Sequence, residues 1–176
     1  ACDSGSLVFI NSKPNDGGSV ILENINAYTG STTINPGATL ALSREGSIAN
    51  SSKVIGNGTL DISAITSNSA TIQSLSGGGA VALGSKTLVI SGGGDTFAGS
   101  ITGSGGLNIA GGSQTLSGNN TFTGGVHVQS GVSLVISSAS ALGTGPINLI
   151  GGISTPSVLN LLGSTMISNP IIISGD

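Results

Sequence analysis

The repeated segment GSGGLNI, at residues 103–109, decides the fold class. It has glycine at its first and third positions, aliphatic residues at its fifth and seventh, and a short polar residue between them. GNGTLDI at 56–62 and GTGPINL at 143–149 have the same form. Because side chains alternate across a strand, each copy predicts a turn followed by a strand with both aliphatics on one face. A turn and strand that recur in this way indicate a repeat architecture.

A second pattern recurs elsewhere and contains three of the four aromatic residues. An Asp or Asn stands two residues before Tyr28, Phe97 and Phe122, and a glycine stands two residues after each of them. After the first and third copies, the segments 33–42 and 127–136 align as strand, tight turn at glycine, and strand. Two independent motifs of this kind predict a solenoid in which equivalent strands stack coil upon coil.

The other apolar residues also predict strands. They form short runs rich in Val, Ile and Leu, separated by Gly, Asn and Ser, and no helical spacing with end caps is visible. The runs are Leu7–Ile10, Val20–Leu22, Leu40–Leu42, Ala80–Leu83, Leu88–Ile90, Leu134–Ile136, Val158–Leu162 and Ile171–Ile173. A β-sandwich would suit short strands, but it has no reason to repeat its turns. We therefore predict an all-β chain that forms a β-helix over residues 1–176, with roughly eight or nine coils of about 20 residues.

The composition excludes several classes of function. Only 6% of the residues are charged, and the four basic residues cannot neutralise a row of phosphates, so we expect no nucleic-acid partner. Polar residues interrupt every apolar run, so no membrane span is expected in this segment. No signal-peptide pattern is visible either. The single cysteine, Cys2, cannot form an internal disulfide.

The motifs resemble a known secretion-associated repeat. The run 96–107 with its continuation 115–126, and the segments 130–135 and 140–145, resemble the passenger-associated transport repeat of bacterial autotransporters. A weaker copy extends from Asn26 to about Ile62. The resemblance implies a right-handed parallel β-helix, and it implies that the chain is a fragment of a longer passenger with a C-terminal barrel translocator elsewhere. It also implies a secreted or cell-surface location.

Enzymatic signatures give little support for catalysis. Asp3-Ser4-Gly5 has a superficial likeness to a serine-protease nucleophile, but the lone histidine, His127, aligns with Thr33 and is interpreted as an outward strand residue.

Glu23, Glu45 and Asp61 are spaced near one coil apart and could stack as a glycosidase pair or a calcium site. Asp61 occupies a repeat position that holds Asn108 and Asn148 in other copies, and Glu45 aligns with Ala139, which favours surface roles. The aromatic residues of the repeat are interpreted as packing against turns instead of stacking on sugars.

The sequence therefore predicts no catalytic residue, no metal ligand and no cofactor. Autotransporter passengers include adhesins, autoaggregation factors and toxins, as well as enzymes that carry a separate catalytic domain, and the repeat does not choose among them. The leading hypothesis is a non-catalytic stalk or adhesive surface that binds host-cell or matrix molecules or associates with itself. The alternatives are a polysaccharide-active β-helix enzyme or toxin segment and, more remotely, an ice-binding solenoid.

Overall fold

The regular structure of the chain consists of short β-strands. The computed structural model describes residues 5–9, 18–152, 154–163 and 165–175, and these ranges contain nineteen strands and no helix. The strands are β1 (Leu7–Phe9), β2 (Ser19–Leu22), β3 (Thr32–Ile34), β4 (Thr39–Arg44), β5 (Val54–Gly56), β6 (Thr59–Ile65), β7 (Ser69–Ile72), β8 (Leu75–Ser76), β9 (Ala80–Ala82), β10 (Thr87–Ile90), β11 (Thr96–Phe97), β12 (Ser100–Thr102), β13 (Leu107–Ile109), β14 (Ser113–Leu116), β15 (Val126–Val128), β16 (Ser133–Ile136), β17 (Ile147–Ile150), β18 (Val158–Leu161) and β19 (Ile171–Ser174).

The strands pair in parallel and form three faces. Face 1 is built from β1, β3, β5 and β8, then β11, β14, β16 and β18, and a bridge from Gly77 to Phe97 joins its two parts. Face 2 contains β2, β4, β6, β9 and β12. Face 3 contains β7, β10, β13, β15, β17 and β19. From β5 to β13 the chain visits faces 1, 2 and 3 in turn, whereas the earlier coils have strands on faces 1 and 2 and the later coils have strands on faces 1 and 3. The chain therefore winds as a β-solenoid, as the sequence predicts.

The coil length and number agree with the prediction. Leu88 pairs with Leu107, and Leu107 pairs with Val126, so one coil takes 19 residues in this region. Face 1 has eight strands, which gives about eight coils. Each apolar run of the sequence contains a strand, although Leu83 and Leu162 lie one residue beyond β9 and β18, and Ile10 lies outside the described residues.

The core is a stack of inward aliphatic side chains. The repeated segments behave as predicted, because Leu60 and Ile62 are buried in β6, and Leu107 and Ile109 are buried in β13. Burying one such side chain contributes about 1.5–3 kcal/mol, and the same contribution recurs in the coils between Ile34 and Ile147, whereas aliphatic side chains of β2, β18 and β19 are exposed. The hydrophobic effect is therefore distributed along the solenoid axis.

One glycine from each of the two motifs, Gly58 and Gly99, lies in a column of glycines at the corner between faces 1 and 2. Gly58, Gly79, Gly99 and Gly118 lie in successive coils, and a Cβ added at any of the last three would overlap the carbonyl oxygen of the glycine one coil before. A side chain at these positions would separate adjacent coils. Glycine is required here because the backbones approach so closely.

The aligned segments 33–42 and 127–136 contain the same tight turn. Gly37 and Gly131 both have left-handed φ angles, 81° and 73°. In the first turn, the Ala38 N–H donates to the Asn35 carbonyl oxygen over 3.0 Å, and the second turn has the equivalent bond. The predicted turn at glycine is confirmed.

The copies of the aromatic motif do not stack on one another, which differs from the simplest expectation. Phe97 lies in β11 on face 1. Phe122 lies on the side of face 2. The hydrogen bond from the adjacent Thr121 N–H to the Ile101 carbonyl oxygen of β12 shows this position. Tyr28 lies in the connection between β2 on face 2 and β3 on face 1. The motif therefore encodes a local turn that occurs at different positions of the winding.

Candidate functional site

Charged side chains gather at one corner of the solenoid. Glu23 follows β2 and Arg44 ends β4, and the pairing of these strands places the two residues one coil apart. The Arg44 Nε atom lies 3.9 Å from Glu23 Oε1, with both side chains more than half exposed, so their attraction contributes at most about 1 kcal/mol. Glu45 follows directly. We call Glu23, Arg44 and Glu45 the charged corner.

The backbone at the charged corner is strained. Arg44 has φ 54°, and it is the one non-glycine residue with a left-handed φ in the described ranges. A tight turn follows, in which the Gly46 N–H donates to the Ser43 carbonyl oxygen over 2.7 Å. The register between β4 and β6 also shifts between Ala41 and Ser43. Such a conformation costs on the order of 1–3 kcal/mol and is often found at functional sites.

The turn at Arg44 opens a cleft on the side of the solenoid. Thr66 N–H donates to the Arg44 carbonyl oxygen over 2.8 Å, and the next backbone hydrogen bond between these two coils is the one from Val54 N–H to the Ser74 carbonyl oxygen. The cleft has a volume of about 560 Å³. Buried Ile65 and Ala70 line it, and Ile25 beside it is 71% exposed. The remaining lining residues are Arg44, Glu45, Gly46, Ser47, Ala49, Thr66, Ser67, Ser69 and Thr71.

The strand β7 presents a free edge to this cleft, because face 3 begins there. The carbonyl oxygens of Asn68 and Ile72 accept hydrogen bonds from the next coil, both at 2.9 Å. Since successive peptide groups of a strand point in opposite directions, the Ser69 carbonyl and the Thr71 N–H and carbonyl point away from β10. These three groups have no hydrogen-bond partner among the described residues.

The structure brings together two of the three acidic residues that the sequence singled out. Glu23 and Glu45 line one shallow depression of about 430 Å³ beside the cleft, together with Arg44. Asp61 lies elsewhere, in the middle of β6 on face 2, where its carboxylate accepts a hydrogen bond of 2.9 Å from the Ser63 N–H. The three carboxylates therefore do not stack, because Asp61 lies within a strand while both glutamates follow strands.

A second polar cluster braces three coils at the edge of face 1. The Asp95 carboxylate accepts hydrogen bonds from the Ser74 hydroxyl and, over 3.2 Å, from Lys53 Nζ. The bond from Ser74 lowers the pKa of Asp95, partial burial opposes this, and Lys53 lowers it further. Buried Gln114 extends the cluster, because its Nε2 donates to the Asp95 carbonyl oxygen over 2.9 Å. The bonds all run between coils, so the cluster is a structural brace.

The first residue of the aromatic motif has the same bracing role in its other copies. Asn120 is buried, its Oδ1 accepts a bond of 2.7 Å from the Ile101 N–H, and its Nδ2 donates to the Ala141 carbonyl oxygen over 2.6 Å. Asn26 donates to the Ser47 carbonyl oxygen over 3.2 Å. The repeated Asp or Asn therefore connects neighbouring coils, a role that sequence reasoning missed although the repetition itself was the signal.

The aromatic side chains pack as the sequence predicts. Phe97 and Phe122 are fully buried, which excludes a sugar-stacking role for them. Tyr28 is half-buried and shares a hydrogen bond of 2.6 Å with the Thr32 hydroxyl. Burial raises the pKa of Tyr28, and the bond to Thr32 partly opposes this.

His127 is exposed on face 3, as predicted for an outward strand residue, and it pairs with Asn108 and Asn148 in the adjacent coils. Asp3 and Ser4 lie outside the described residues, as does Cys2.

Within the described ranges, no three His, Cys, Asp or Glu side chains are grouped to hold a metal ion. The same ranges contain no helix long and apolar enough to cross a membrane.

The three-faced parallel winding defines the chain as a β-solenoid. Two segments of it, residues 15–42 and 111–136, match the family model of the passenger-associated transport repeat. This confirms the recognition made from the sequence, and it is consistent with an autotransporter passenger domain, a class that is secreted or displayed at the cell surface. Neither a curated protein nor a solved structure matches the chain.

Proposed function

We propose that the chain is a segment of an autotransporter passenger that acts as a rigid stalk with an adhesive outer surface and has no catalytic role of its own. The two repeat matches on a stacked parallel solenoid carry this proposal. The proposed partners are host-cell surface or matrix molecules, or further copies on neighbouring bacteria. The parent protein is proposed to be anchored in the outer membrane through a C-terminal barrel.

Two features of the solenoid support a stalk with adhesive faces. Most of its strands pair with the coils before and after them over a continuous aliphatic core, which makes the rod stiff. Its outward positions carry polar side chains, such as Asn108, His127 and Asn148 on face 3. Such faces offer many hydrogen-bond donors and acceptors to a partner while leaving the core intact.

Binding of the fluorescently labelled, folded chain to host cells and to immobilised matrix proteins tests the proposal. A heat-unfolded sample of the same chain is the control. We expect saturable binding that disappears on unfolding. An absence of binding by the folded chain would overturn the adhesive part of the proposal and leave a stalk that carries another domain.

A second candidate function is cleavage of polysaccharides, and the shared depression of Glu23 and Glu45 is the observation that favours it. Most glycoside hydrolases use a pair of carboxylates that flank the bond to be cleaved. We expect this candidate to show turnover on soluble polysaccharides that is lost in the Glu45→Gln variant. Failure of the unmodified chain to release reducing ends would eliminate it.

A further inference from the structure

We propose that the free edge of β7 is a binding site for an extended polypeptide segment that carries basic side chains and adds to face 3 as a strand. The inference deepens the proposed adhesive function, on which it rests, by naming the chemistry of one partner. Three observations support it: the unpaired backbone of β7, the apolar lining of the cleft, and the charge at its rim.

The backbone of β7 has the groups that a polypeptide strand requires. The Ser69 carbonyl, the Thr71 N–H and the Thr71 carbonyl all point toward the cleft side and have no partner among the described residues. Their alternation matches the donors and acceptors along one edge of an extended chain. A polypeptide satisfies all three groups at regular spacing, as in other complexes formed by strand addition.

The cleft provides space and apolar contacts for such a segment. Its volume is about 560 Å³, and it lies directly beside Ser69, Ala70 and Thr71. Ile65 and Ala70 form buried apolar surface in the cleft, and Ile25 is 71% exposed beside it. Alternate side chains of an added strand would point toward this apolar surface, so small aliphatic residues are expected at those positions.

The rim of the cleft carries an excess negative charge. Arg44 is balanced by Glu23, whereas Glu45 has no ion-pair partner among the described residues. A Lys or Arg side chain of the bound segment would therefore be attracted to Glu45. Charge complementarity thus selects a basic segment over an acidic one.

The strained turn at Arg44 lies in the coil that precedes β7. Arg44 has a left-handed φ, a tight turn to Gly46 follows it, and this coil contributes no strand to face 3. In the later coils, β10, β13 and β15 pair on both sides. β7 is therefore the strand at which face 3 begins, and its other edge has no strand partner among the described residues.

The test is a titration of the ¹⁵N-labelled chain with a soluble hexapeptide of alternating valine and lysine, followed by NMR. We expect saturable shifts centred on the Ser69 and Thr71 amides. The same peptide with alternate amides N-methylated, and a valine–glutamate hexapeptide, are the matched ligand controls, and both should bind at least about ten-fold more weakly.

Variants of the chain complete the test. Thr71→Pro removes the outward N–H at an edge position that tolerates proline, and it should weaken binding by at least about ten-fold. Thr71→Val keeps the N–H and should bind like the unmodified chain. Glu45→Gln should weaken binding about three-fold.

Equal binding of the methylated and unmethylated peptides would overturn the proposal, even if Thr71→Pro failed to fold. Shifts at β7 caused by neutral oligosaccharides and not by the peptide would also overturn it. If the peptide fails while the folded chain still binds cells, strand addition is excluded and the adhesive function survives. If the peptide binds while the folded chain does not bind cells, strand addition is supported and the adhesive function is excluded.

Discussion

Two regions of the solenoid differ in the regularity of their backbone and of their strand pairing. In the uncharged stack, residues 96–150, Asp, Glu, Lys and Arg are absent from the sequence, and the strands of face 3 are paired on both sides. At the charged corner, the ladder register shifts, Arg44 adopts a left-handed φ, and β7 is left with a free edge. Regular repeats therefore specify the fold, and a departure from them creates a distinctive surface.

The largest effect is expected from breaking the glycine column of the uncharged stack. Gly99→Ala places a Cβ against the Gly79 carbonyl oxygen, so adjacent coils must separate, and we expect a loss of about 3 kcal/mol in the free energy of unfolding. Gly78→Ala is the matched control, because a Cβ there meets nothing within 4 Å. Chemical denaturation measures both. Equal destabilisation by the two variants would contradict the close approach of the coils.

A smaller loss is expected from removing a brace within the same stack. Asn120→Ala leaves the Ile101 N–H and the Ala141 carbonyl without their side-chain partner, which should cost about 2 kcal/mol of unfolding free energy. Asn119→Ala changes the exposed neighbour and should cost little. Denaturation curves of the pair compare them directly. A neutral Asn120 variant would show that the amide does not connect the coils.

The brace at Asp95 should add a dependence on pH. Its folded pKa is lowered, so its stabilisation is present above the unfolded pKa of 3.8 and is lost as the pH falls through the folded pKa. We expect Asp95→Asn to cost about 1 kcal/mol at neutral pH and nothing at low pH. Unfolding curves at both pH values measure the difference. A constant difference between the two chains would contradict the lowered pKa.

The smallest effect, and one of opposite sign, is expected at the charged corner. Arg44→Gly removes the strain of a left-handed φ in a residue with a side chain, so it should stabilise the chain by up to about 1 kcal/mol. Ser43→Gly, one position earlier in the strand, should destabilise it by about 0.5–1 kcal/mol. The midpoints of thermal unfolding rank the two variants. A destabilised Arg44 variant would show that the turn is not strained.

The repeated regions of this fold were predictable from sequence, whereas the corner was not. The strands and the turn at Gly131 follow from alternating aliphatics and a recurring glycine, because each copy repeats the same local physics. The sequence did not predict that the copies of the aromatic motif lie on different faces, because the same local turn can occur at different positions of the winding. Arg44 and the edge of β7 occur once, and nothing in their composition distinguishes them from ordinary surface residues.

Amide hydrogen exchange of the folded chain tests the contrast between the two regions most directly. The Thr71 N–H at the corner should exchange fast, because it has no partner among the described residues. The amides of Val89, Asn108 and His127, which follow it in register along face 3, should be strongly protected. Protection of Thr71 equal to that of these three residues would contradict the open edge and, with it, the account of the charged corner.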